Sequence, residues 1–277
     1  MTWPVREGAF VVRTANRILR IAGYRLGSIP PREPRDFPAA SVELFRAVEP
    51  YTMTTPEAVY ALESAVRHIA ESGTPGAIVE CGVWRGGSMM AAARTLLELD
   101  RRDVELYLFD TYAGMPAPTE NDVRWTGESA AGLLESEQGK EAELLWARAP
   151  LDEVRRTMSQ VGYPESKIHF VPGKVEDTVP EHAPAQISIL RLDTDWYESS
   201  LHELRHLYPR LVPGGILILD DYAWWNGVRT AVNEYFGKHP PAPFLVRIDD
   251  SGARIAVKPT VDRGGLRMEQ SSPAAAH

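Results

Sequence analysis

QISILRLD (186–193) and GGILILDD (214–221) are apolar almost throughout and end in acid. A strand covered on both faces in a parallel sheet reads this way, whereas a strand with one wet face alternates. Two such strands in one parallel sheet carry Asp193, Asp220 and Asp221 to the same mouth. Three carboxylates there suit a divalent cation, although Asp220 and Asp221 can equally cap a helix or face solvent. A third run, GAIVE (76–80), passes straight into CGVWRGGS (81–88), which suits a cofactor-binding turn opening a helix.

Working outward, the chain reads as strand 76–80, helix 87–99, strand 104–109, an insertion at about 111–150, strands 168–171 and 186–192, helix 197–209 and strand 215–219. Helix 228–239 and a hairpin over 244–259, turned by Asp250, Ser251 and Gly252, complete the series. Apolar strands separated by amphipathic segments predict an α/β sheet buried on both sides. Before the first strand, Val59, Leu62, Val66 and Ile69 recur at helical spacing behind Thr55 and Pro56, a helix start. Residues 1–54 are expected to form a helical appendage that covers cofactor and substrate. Its stretch 8–27 can pack on the core, join a second copy or touch a membrane surface. The core is expected over 55–259, with a lid at about 111–150, because a detour of that length straight after a strand end is commonly functional. Residues 260–277 read as a weakly ordered tail.

Composition narrows the function. With 30 Lys and Arg against 38 Asp and Glu, the formal charge is −8, which argues against a nucleic-acid binder. The lone cysteine, Cys81, excludes an intrachain disulfide framework and a cysteine metal cluster, and fits a reducing cytoplasm. No apolar run approaches the roughly 20 residues that cross a bilayer, so a cytoplasmic protein without a membrane span is expected.

Glu80, Gly82, Gly86 and Gly87 form the first chemical constellation. The glycines permit close backbone approach, and the acid can accept hydrogen bonds from a cofactor's ammonium or ribose group. Asp110, closing LYLFD about thirty residues later, can bind paired ribose hydroxyls. No intact GxGxxG supports NAD and no GxxxxGK[ST] supports ATP, so the spacing permits an adenosyl ligand without identifying it. A structural turn accounts for the same residues.

YTMTTPEAVYAL, VECGVWRGGS, LFDTYAGMP, LRLDTDWYESS and PGGILILDDY together resemble the macrocin O-methyltransferase family, which includes macrolide and aminocoumarin sugar O-methyltransferases; the likeness runs from about residue 48 to 259. The resemblance implies a Rossmann-like class I S-adenosylmethionine-dependent methyltransferase with a mixed seven-stranded sheet and a terminal antiparallel strand pair. It implies Mg²⁺-dependent transfer to a sugar hydroxyl of a glycosylated natural product, and a homodimer. By the same resemblance Asp193, Asp220 and Asp221 are the metal ligands and Asp195 is the catalytic base. Met53, Glu80, Gly82, Trp84, Ser88, Asp110, Val175 and Glu176 are the cofactor residues. Trp84 can serve the core instead, and Glu176 can be a solvated loop charge. Mn²⁺ also accepts oxygen ligands. Trp125, Trp196, Tyr222, Trp224 and Trp225 are expected around the mouth, where aromatic rings suit a glycosylated acceptor. His202 and His206 read as a helix face rather than a zinc site. A metal-dependent hydrolase using Asp193, Asp195, Asp220 and Asp221, and an adenosyl-binding protein without catalysis, are the competing readings.

Overall fold

The computed structural model describes residues 34–135 and 146–260. The appendage stretch 8–27, the middle of the 111–150 insertion and the tail from 261 lie outside them. A compact unit begins at Phe37. Its sheet has seven strands in the order β3-β2-β1-β4-β5-β7-β6. These are β1 (Ala77–Cys81), β2 (Leu106–Asp110), β3 (Ile168–Pro172), β4 (Ile187–Leu192), β5 (Leu211–Leu219), β6 (Val246–Arg247) and β7 (Arg254–Val257). The first five are parallel, and β7 pairs antiparallel with both β5 and β6.

The helices are α1 (Ala39–Val48), α2 (Pro56–Ser72), α3 (Gly87–Glu98), α4 (Ala130–Glu135), α5 (Leu151–Ser159), α6 (Val175–Thr178), α7 (Tyr197–His206) and α8 (Asn226–Lys238). The thread of α2 is set locally. Thr55 caps its first turn by accepting from the Ala58 N–H at 3.2 Å, Pro56 opens it, and Gly73 closes it at φ 65°. Its apolar stripe, Val59, Leu62, Val66 and Ile69, is buried against the sheet.

Alternate strand residues feed two cores. Ile78, Leu106, Leu108, Ile189, Ile216 and Ile218 meet α1, α2, α3 and α5 on one face. Val79, Cys81, Phe109, Leu217 and Leu219 meet α7 and α8 on the other. Coverage of both faces is why these strands read as continuous apolar runs. From β1 the chain winds outward through β2 to β3, then returns to β4 on the opposite side of β1. A crevice opens at such a reversal, beyond the carboxyl ends of the strands. Among the described residues, no helix is long and apolar enough to cross a membrane.

Candidate functional site

The crevice between β1 and β4 is built by ladder bonds that run past the strand ends. The Asp193 N–H donates to the Cys81 carbonyl at 2.9 Å, and the Asp220 N–H donates to the Leu192 carbonyl at 3.0 Å. Gly82 stands at φ 83°, and a Cβ there would lie 1.8 Å from the Asp193 carbonyl oxygen. No side chain fits between the β1 turn and the β4 end, so glycine is what lets the two approach.

A cleft opens there, lined among others by Met53, Gly82, Trp84, Asp110, Val175, Glu176, Asp193 and Asp195. Six of the eight residues expected at the cofactor therefore share one cavity. Glu80 and Ser88 do not line it. Ser88 is buried in α3, and Glu80 points across the sheet to Arg191, with which it forms a buried ion pair. Asp110 accepts three backbone N–H bonds, from Val83 at 2.7 Å, Trp84 at 3.0 Å and Tyr112 at 2.7 Å. It thereby pins the turn after β1 to the end of β2. Burial raises its pKa against those bonds.

Beyond the ends of β4 and β5, one oxygen each from Asp193, Asp220 and Asp221 lie within 4.8 Å of one another. Burial raises the pKa of all three, to about 6 for Asp220 and well above the ordinary carboxylate value for Asp221, which also feels Asp195, Asp193 and Asp220. The buried Oδ2 of Asp221 has no hydrogen-bond partner. Convergent oxygen donors, mutual repulsion and an orphaned buried oxygen fit a hard dication.

Asp195 follows two residues after Asp193 in a left-handed conformation, φ 64°. Its Oδ1 accepts from the Trp225 indole Nε1–H at 2.7 Å, and its carboxyl shares a hydrogen bond with Asp221. Burial pushes Asp195 up to about 6, with the bonds from Asp221 and Trp225 opposing. A carboxylate held near neutrality and aimed into a cleft can take a proton from a hydroxyl.

Residues 116–124 of the insertion fold back onto this site. Buried Asp122 accepts from the Tyr197 N–H at the start of α7 at 2.8 Å, and from the Thr119 N–H at 2.7 Å. Arg124 forms a β-bridge with Trp225. Trp196 donates to the Pro116 carbonyl at 3.0 Å and stacks edge-on with Trp225 at 5.1 Å. Of the five aromatic residues expected at the mouth, Trp196 and Trp225 are thus buried supports, while Trp125 and Trp224 are exposed. His202 and His206 lie side by side on α7, with His202 bonded to the Val179 carbonyl.

Reasoning from sequence missed Arg191, Asp122 and the role of Trp225. Arg191 carried a signal: it is the one charge inside the strand ISILRL, a residue that is buried only when paired.

The family model for macrocin O-methyltransferases matches residues 44–255. Mycinamicin III 3''-O-methyltransferase of Micromonospora griseorubida is 34% identical over 202 residues, 73% of this chain and 76% of that protein. A tetracenomycin-rhamnosyl 4'-O-methyltransferase of Streptomyces olivaceus is 33% identical over 205 residues, 73% and 74% of the two chains. Among solved structures, the O-methyltransferase NovP superposes with a TM-score of 0.66 at 28% identity, covering 76% of this chain and 83% of its own. The calicheamicin methyltransferase CalS11, at 18% identity and a TM-score of 0.56 over 84% of this chain and 99% of its own, shares the fold.

Proposed function

The chain belongs to the macrocin O-methyltransferase family, and on that premise we propose that it transfers the methyl group of S-adenosylmethionine to a sugar hydroxyl of a glycosylated natural product, with Mg²⁺ held by Asp193, Asp220 and Asp221. One observation carries this reading: Asp193, whose carboxylate converges with Asp220 and Asp221, and a separate buried carboxylate, Asp195, line the same cleft as the turn after β1. The named activities of the relatives, on sugars of a macrolide and of a tetracenomycin, support the acceptor class.

A methyl donor fits the half of the cleft lined by Met53, Gly82, Trp84, Asp110, Val175 and Glu176. Glu176 offers an acceptor for an amine, and Met53 and Trp84 offer apolar contact. When bound, the dication supplies Lewis-acid stabilisation of the charge that develops on the acceptor oxygen. Asp195 takes the hydroxyl proton, while the Trp225 indole keeps its carboxylate oriented. Transfer is then an in-line displacement whose rate depends on alignment, which the strand ends impose on both sides. The part of the insertion that docks on Tyr197 and Trp225 covers the acceptor side and excludes water.

A mass-spectrometric screen of glycosylated acceptors with S-adenosylmethionine and Mg²⁺, followed by NMR of the product, tests the reading. A gain of one methyl on a sugar oxygen is expected. A methyl on carbon or nitrogen, or cleavage of the acceptor without methylation, would overturn it.

A further inference from the structure

Arg191 lies fully inside β4, between Leu190 and Leu192, and its guanidinium touches four segments of the chain. Nη1 pairs with buried Glu80 on β1 and lies 2.7 Å from Asp193 Oδ2. Nη2 donates to Asp220 Oδ1 at 2.7 Å and to Thr54 Oγ1 at 2.9 Å. Glu80, Arg191 and Ile218 sit in register across β1, β4 and β5, so the fork is held from below by the sheet itself. Thr54 is the exception among its partners. It comes from the loop before α2, next to Met53, which is 51% exposed and lines the cleft.

We propose that Arg191 is a positioning residue that couples occupancy of the cleft to cation affinity at Asp193, Asp220 and Asp221, with Thr54 as the coupling contact. The inference rests on the cation reading given above. A guanidinium presents its N–H groups in a rigid plane, so fixing one of them fixes the rest. Two carboxylates of the trio each give one oxygen to that plane. Its charge is shared among Glu80, Asp193 and Asp220, so Arg191 orients the two ligands while it pairs with them. A ligand that closes on Met53 orders Thr54, which fixes the fork and with it Asp193 and Asp220. By linkage the cation must in turn tighten the cleft ligand by the same factor.

Mn²⁺ binding, followed by the electron paramagnetic resonance signal of the free ion with and without S-adenosylhomocysteine, tests the coupling apart from turnover. The wild-type protein is expected to bind Mn²⁺ about 5-fold more tightly with S-adenosylhomocysteine present, the lower end of ordinary coupling. Thr54→Val keeps the shape and removes the acceptor. It should bind Mn²⁺ within about 2-fold of wild type without the nucleoside and lose the tightening, and Thr54→Ser should restore it. Arg191→Lys, which keeps the charge without the fork, should weaken Mn²⁺ binding and also lose the tightening. Should that variant fail to fold by circular dichroism, the Thr54 pair decides alone. Undiminished tightening in Thr54→Val, or none in the wild type, would overturn the coupling and leave the cation reading standing. Failure of the wild type to bind Mn²⁺ at all would overturn both.

Discussion

Asp195 occupies a conformation that side chains rarely adopt, φ 64°, and a strained residue persists where its surroundings over-determine it. Here the Trp225 indole and the Asp221 carboxyl fix it from two sides. With Asp195 as the proposed proton acceptor, Asp195→Asn should lower kcat by about 10²- to 10⁴-fold, with little change in affinity for the methyl donor by calorimetry. The wild-type rate should fall as pH drops through about 6, where burial has placed this carboxyl. Trp225→Phe removes a hydrogen bond to the charged form. The acid limb should therefore move up by about one to two pH units, and an unmoved limb would deny the indole its role. At this scale the acids were legible because they end apolar runs. Arg191 and the Trp225 indole were not, since each takes its meaning from a partner, Glu80 or Asp195, that only the sheet or a loop contact brings near. Glu80 shows the same limit: a strand-end acid beside a glycine turn reads as a ligand contact, yet its side chain meets a buried arginine.

Between elements, the start of α2 is tied to the β6–β7 turn by one hydrogen bond, Thr55 Oγ1 to Asp249 Oδ2 at 2.5 Å. Thr55→Ala removes an N-cap and leaves a buried carboxylate short of a donor, so a loss of roughly 2 kcal/mol is expected in denaturant unfolding. Burial acts to raise the Asp249 pKa, and bonds from Ser251, Thr55 and the Gly252 and Ala253 N–H groups more than offset it. A lowered native pKa stabilises above the unfolded value, about 4, and that contribution is lost as pH falls through the native one. The stability gap between wild type and Asp249→Asn should accordingly be full at neutral pH and close in acid; a constant gap would assign the effect to packing alone. Gly82→Ala should be more severe, because its Cβ would overlap the Asp193 carbonyl. The strands and α2 were legible element by element, since apolar runs and caps are local. Boundaries were less so. Helix α7 ends at His206 and a 3-10 turn containing Pro209 follows, where the helix was expected to run to 209, while β5 begins at Leu211, ahead of the expected 215–219.

For the whole molecule, the reversal between β1 and β4 gathers donors from distant parts of the chain into one crevice. No local pattern marks that reversal, and it is the alternation of strands and helices along the chain that implies it. Asp193 and Asp220 approach only because β4 and β5 are adjacent, with Leu192 and Leu219 in register. Like charges collected there oppose folding until something compensates them. A dication bound by the native site alone must then stabilise the fold by mass action, about 2.7 kcal/mol at a hundred times its dissociation constant. For a chain of this size that raises the melting temperature by roughly 5–10 °C. Protein stripped with a chelator should show this rise on adding Mg²⁺, in a scan followed by circular dichroism. Asp221→Asn removes a charge that repels Asp195, Asp193 and Asp220 and has no cationic partner, so it should melt higher than wild type in chelator and gain less from Mg²⁺. The two effects have opposite signs in the same variant, which separates loss of a ligand from general damage to the fold. A variant that melts lower than wild type in chelator and still responds fully to Mg²⁺ would place the cation elsewhere.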